Sequence, residues 1–131
     1  QVDGYGKPFN NWSYGESIKY NNLKNYRFSI CFENRKRSGY YTEKPFHAKT
    51  SGTIPIYYSD EQVSHDFNEK AFLNLNDFDS LEQLLERVKE VDQDEELYKN
   101  YFDEPLFEGG KIKEEFEPSS VLNFFNHTIL K

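Results

Sequence analysis

"YRFSICFENRKRSGYYTEK", residues 26–44, runs from an apolar stretch into a crowd of polar side chains. Residues 26–32 alternate and then turn apolar, which reads as a buried strand ending near Phe32. A helix is expected from Thr42 to Ser51. Thr42 is placed as its N-cap, Pro45 falls in the first turn where a missing N–H costs little, and Gly52 stands just past the end. Strand, polar loop and helix together make half of a βαβ unit.

Working outward, "TIPIYYS" (53–59) reads as a second short strand. After a turn-rich segment, "AFLNLND" (71–77) reads as a third. Ser80 and Gln83 form the Ser-x-x-Gln pattern of a capping box, and Leu81, Leu84, Leu85, Val88 and Val91 follow on one helical face. Asp94 is placed to cap another short helix through Tyr101, and a closing helix is expected from about Ser119, after Pro118, to Leu130. Phe124, Phe125, Ile129 and Leu130 of that helix are expected to pack on the sheet, an exposed apolar stripe being the other reading. Upstream, "QVDGYGKPFNNW" holds a strand stub at most and is otherwise a Gly/Asn/Pro loop. Short apolar strands alternating with amphipathic helices require a parallel sheet covered on both faces, so the fold class is α/β.

The 131 residues fit one domain with one core. A net charge of -7 argues against a nucleic-acid partner, which needs a cationic footprint. Cys31 is the lone cysteine, so no intramolecular disulfide can form, as expected in a reducing compartment. It falls in the buried strand and reads as inert core. His47, His65 and His127 have no metal-ligand spacing with one another or with Cys31, and no metal is expected. The sequons at Asn11 and Asn126 are of the kind that an Asn-rich chain produces by chance. No apolar stretch is long enough to span a bilayer. Gln1 reads as an internal start, so the sequence is expected to be a piece of a longer chain.

In an open parallel sheet, ligands settle beyond the carboxyl ends of the strands. Residues 33–43 occupy such a place. Lys44 offers a point charge to a phosphate, and a cation at a helix start is disfavoured by the dipole unless an anion arrives. Glu43 can accept hydrogen bonds from vicinal hydroxyls, Asn34 can donate and accept, and Tyr40 offers a ring face and a hydroxyl. Arg35, Lys36 and Arg37 read either as a phosphate contact or as solvated surface.

"YRFSICFEN", followed at fixed spacing by "GYYTEK" and "SGTIPIYY", resembles the donor-binding signature of the α-1,3/4-fucosyltransferases, glycosyltransferase family 10. "VDGYGKPFNN" and the later Asp-Phe, Phe-Asn and Pro-Leu landmarks extend the likeness over nearly the whole chain. The resemblance implies a GT-B enzyme whose C-terminal Rossmann-like domain binds GDP-fucose, while an N-terminal domain brings the acceptor and the general base. Residues 1–131 would then be a single GDP-fucose-binding domain lacking its first βα unit, a fragment of a two-domain enzyme. Asn34, Tyr40, Glu43 and Lys44 fall on the family's donor-binding positions, with no catalytic base among these residues. By the same resemblance, no cofactor is required beyond the substrate GDP-fucose, and the acceptor is a glycan such as N-acetyllactosamine reached through the other domain. The fragment alone is expected to be inactive and to self-associate through an uncovered edge or face. An AT-rich bacterial origin, and a cytoplasmic location with peripheral attachment at the inner membrane, complete these expectations. A non-catalytic nucleotide-sugar-binding or interaction module of the same fold is the alternative, and an aromatic carbohydrate-binding module built on Trp12 and the tyrosines is a third reading. Two departures from the family pattern stand out: Pro45 after Lys44, and Ser59-Asp60 where a glycine usually follows the Ile-Pro-Ile strand.

Overall fold

The computed structural model describes residues 21–129. Strand β1 (Phe28–Phe32) leads into helix α1 (Lys44–Thr50), which returns to strand β2 (Ile54–Tyr58). Two 3-10 turns, Glu61–His65 and Glu69–Ala71, precede the two-residue strand β3 (Leu73–Asn74). Helices α2 (Leu81–Gln93) and α3 (Glu95–Asp103) follow, then further 3-10 turns and helix α4 (Pro118–Phe124), which runs into a π-helical turn, Phe125–Ile129.

The described strands form one parallel sheet in the order β1-β2-β3. Phe28 lies beside Ile54, Ile30 beside Ile56 and Phe32 beside Tyr58, while Ile56 and Tyr57 pair with Leu73 and Asn74. Pro55 in the central strand looks like an error of pattern but is not one. The Ile54 N–H donates to the Arg27 carbonyl on the β1 side (2.8 Å), so alternation aims the Pro55 nitrogen toward β3, whose pairing begins only at Ile56.

Both faces of the sheet are covered. Cys31 and Tyr57 pack with Ala48 of α1 and with Val63, Ala71, Phe72 and Leu106 on one side. Ile56 and Leu73 pack against Leu84 of α2 on the other, with Phe28, Phe32 and Val88 adding partly buried contacts. Cys31 is core, as its strand position implied.

Several elements differ from the sequence reading, each for a local reason. The third strand shrinks to two residues because the Asn74 side chain accepts the Asn76 N–H (3.2 Å) and bends the chain into a 3-10 turn at Leu75–Asp77. Helix α1 begins at Lys44, and Thr42 does not cap it: its N–H and hydroxyl both go to Glu33. The box at Ser80 is half formed. Ser80 Oγ accepts the Gln83 N–H (3.3 Å), but Gln83 Oε1 accepts from Asp79, one residue earlier than the pattern requires. Of the α2 stripe, Leu84 and Val91 are buried, whereas Leu81 and Leu85 remain 47% and 48% exposed because a short sheet covers only part of the face. Asp94 caps α3 as read, its Oδ1 accepting the N–H groups of Glu96 and Leu97 (3.0 Å each). Phe124 and Phe125 do not pack on the sheet; they meet edge to face and stay exposed. The 1–12 loop, Trp12, the Asn11 sequon and Leu130 lie outside the described residues.

Candidate functional site

The carboxyl end of β1 delivers Glu33, whose N–H continues the ladder to the Tyr58 carbonyl (2.9 Å). Its carboxylate is wholly enclosed. Oε1 accepts the N–H and the hydroxyl of Thr42 (2.8 Å each), and Oε2 accepts the Lys44 ammonium. Burial pushes this carboxyl up, but the hydrogen bonds from Lys44 and Thr42 outweigh it and hold it below the usual carboxylate range. The anion that a cation at the α1 start requires is therefore present within the chain.

The intervening loop is tied down from β2. Gly39 adopts φ 69°, a conformation disfavoured for residues with a Cβ, and its N–H donates to the Asp60 carboxylate. The Tyr40 N–H closes a turn onto the Arg37 carbonyl (3.0 Å). Ser59 Oγ stands 3.0 Å from the Arg35 carbonyl and 3.1 Å from that of Tyr40. The Ser59-Asp60 departure thus fastens the loop from below. Lys36 lies on the surface, bonded to Glu61 (3.2 Å) and Asn76 (3.4 Å) and set over the Tyr58 ring, while Arg35 and Arg37 are exposed.

Of the four residues singled out by sequence, Glu43 and Lys44 line one recess of about 220 Å³ beside β1, together with Ser29, Ile30 and Cys31. Asn34 and Tyr40 are exposed on the loop and do not line that recess. Sequence reasoning passed over Glu33. Its signal was available: an acid at the last buried step of a strand needs a cation, and Lys44 is where the loop returns.

Beneath the loop, the Tyr41 hydroxyl donates to Asp66, which also receives Lys113 Nζ (2.9 Å). The bond to Asp66 and burial push the Tyr41 phenol up to about 12. Burial and the nearby Glu33 carboxylate push Tyr57 up to about 12 as well. Among the described residues no group of His, Cys, Asp and Glu is arranged to hold a metal ion. No described helix is long and apolar enough to cross a membrane.

Residues 1–105 match the family model described as glycosyltransferase family 10 (fucosyltransferase) C-term. The α-(1,3)-fucosyltransferase FucT of Helicobacter pylori is 36% identical over 107 residues, which are 82% of this chain and 22% of that protein. The human 4-galactosyl-N-acetylglucosaminide 3-α-L-fucosyltransferase 9 is 30% identical over 108 residues, 78% of this chain and 29% of the enzyme. A crystal structure of an α1,3-fucosyltransferase with GDP-fucose superposes with a TM-score of 0.74 at 33% identity, covering 82% of this chain and 33% of that one. One with GDP gives 0.69 at 30% identity, over the same shares. The chain therefore spans about a fifth to a third of the length of these proteins. With its parallel sheet flanked by helices, it has the Rossmann-like architecture implied for the C-terminal domain of a GT-B enzyme, and it belongs to glycosyltransferase family 10, the fucosyltransferases.

Proposed function

We propose that this chain is the donor-binding part of an α-1,3-fucosyltransferase, holding GDP-fucose while fucose passes to a glycan acceptor such as an N-acetyllactosamine unit. The observation that carries the reading is the recess at the β1–α1 junction, where Glu43 and Lys44 meet, in a fold similar to a fucosyltransferase crystallised with GDP-fucose. Lys44 reaches the diphosphate as a point charge, and Glu43 accepts hydrogen bonds from ribose or fucose hydroxyls. Asn34 and Tyr40 border the donor from the loop above.

The transfer is inverting. An acceptor hydroxyl attacks the anomeric carbon as the bond to the β-phosphate oxygen breaks, and that electron pair leaves with GDP. The hydroxyl proton passes to a carboxylate base in the partner domain of the full-length enzyme. Negative charge grows on the diphosphate during this step, so a fixed cation there stabilises the transition state more than the ground state. Because that base belongs to the other domain, residues 1–131 on their own are expected to hold the donor without transferring fucose. Taken as an isolated fragment, they self-associate through the β1 side of the sheet, where Ile30 is 57% exposed.

Calorimetric titration of GDP into the full-length enzyme tests the reading. Lys44→Ala is expected to weaken GDP binding by about tenfold, the size of a lost charge-assisted contact. Glu43→Ala is expected to lower turnover of GDP-fucose. Wild-type affinity and wild-type turnover in both variants would remove this recess from the donor site.

A further inference from the structure

We infer that Glu33 is the positioning residue for Lys44, a buried anion that fixes the direction in which the ammonium is presented; the inference rests on the reading of Lys44 as a diphosphate contact. Among the described ion pairs, this is the one whose carboxylate is fully enclosed: the Glu33 side chain is 0% exposed and that of Lys44 27%. The pairs Lys36–Glu61 and Lys89–Glu86 lie open to solvent at both ends. A carboxylate without water needs a cation and hydrogen bonds, so Glu33 cannot release Lys44 without an uncompensated buried charge. Nor can the carboxylate swing, because Thr42 bonds it from both its N–H (2.8 Å) and its hydroxyl (2.8 and 3.0 Å).

The other end of the pair is different. Lys44 is among the residues lining the recess and its side chain is partly exposed, so one partner is anchored in the interior and the other is reached by solvent. An ammonium has three donors, and the one spent on Glu33 leaves others for a phosphate oxygen. Lysine otherwise samples many rotamers, and a charge that must be in place when a diphosphate departs gains from being held before the donor arrives. The pairing bridges 11 positions of sequence, from the end of a strand to the start of a helix, so the loop between them is closed by the same contact.

Glu33→Gln tests this, because the amide oxygen still accepts from Thr42 while the charge is gone. In the full-length enzyme, GDP affinity by calorimetry is expected to fall about tenfold, and by less than about twofold when the substitution is made on Lys44→Ala. A purely structural role would give the same loss in both backgrounds. Unchanged affinity in Glu33→Gln, or equal losses with and without Lys44, overturns the inference while leaving the recess as donor site. Unchanged GDP affinity in Lys44→Ala instead overturns the reading of Lys44 as a diphosphate contact, on which the inference rests. Should Glu33→Gln fail to fold, Glu33→Asp keeps the charge on a shorter arm. Its expected loss is about threefold, again absent without Lys44, and an equal loss in both backgrounds counts against the inference in the same way.

Discussion

Glu33 and Lys44 show what a single position can and cannot reveal. Lys44 was legible because a cation at a helix start is conspicuous; Glu33 carried the signal of an acid at a strand end, but which cation it takes is fixed only once the 33–44 loop has closed. The pair has a consequence for pH. The Glu33 carboxyl is held below its ordinary value of 4.5, so its contribution to stability is fully present above pH 4.5 and is lost as pH falls through the lower folded-state value. Acid titration followed by circular dichroism is expected to show Glu33→Gln unfolding with a shallower acid dependence than the parent; identical acid limbs would contradict this. Gly39 makes a second case. A Cβ built there meets nothing within 4 Å, so only its φ of 69° opposes a side chain. Gly39→Ala is therefore expected to cost about 1 kcal/mol in chemical denaturation, and an unchanged midpoint would contradict this.

Elements were legible where local and tertiary signals agreed. β2 is buried along all but its last residue, and its apolar run showed it; β1 was read as a buried strand too, but it buries only Cys31 and leaves Ile30 exposed, since its described neighbour lies on one side alone. The third strand was over-read because Leu73 and Leu75 alternate with asparagines, and the side chain of Asn74 turned the backbone before a ladder could extend. Helix α3 was read correctly from Asp94, whose carboxylate takes two free N–H groups. Asp94→Ala is expected to destabilise the fold by about 1 kcal/mol, read from the urea midpoint; an unchanged midpoint would mean the cap is replaced by water. On the far side of the core, Lys49 of α1 donates to the carbonyls of Tyr101 and Phe102 at the end of α3, a tie between helices that no periodicity announces. Tyr41 and Tyr57 link the loop and the central strand to the alkaline limit. Their phenols ordinarily titrate near 10 and are pushed up to about 12 here. Between those values the unfolded chain gives up protons that the folded one keeps, so stability is expected to fall from pH 10 toward 12. Tyr41→Phe should flatten that fall in a pH series of denaturation curves.

At the scale of the molecule, alternation of strands and helices was enough to indicate a parallel sheet with two covered faces, and the ends of its strands pointed to the 33–43 loop as the candidate site. The extent of coverage was not legible. Ile30 on the outer strand, and Leu81 and Leu85 on α2, are apolar residues that a sequence pattern assigns to the interior and the folded domain leaves open. Such surface is expected to drive concentration-dependent self-association of residues 1–131 on their own, and a mass constant with concentration in light scattering would contradict it. Of the four residues singled out, Glu43 and Lys44 share one recess, whereas the loop sets Asn34 and Tyr40 apart from it, a separation that residue types and spacing do not reveal. The most direct measurement is a crystal structure of the full-length enzyme with GDP-fucose bound. The account predicts a diphosphate oxygen within ion-pair distance of Lys44 Nζ and sugar hydroxyls on Glu43. A nucleotide bound elsewhere, with Asn34, Tyr40, Glu43 and Lys44 all turned away from it, would contradict the account.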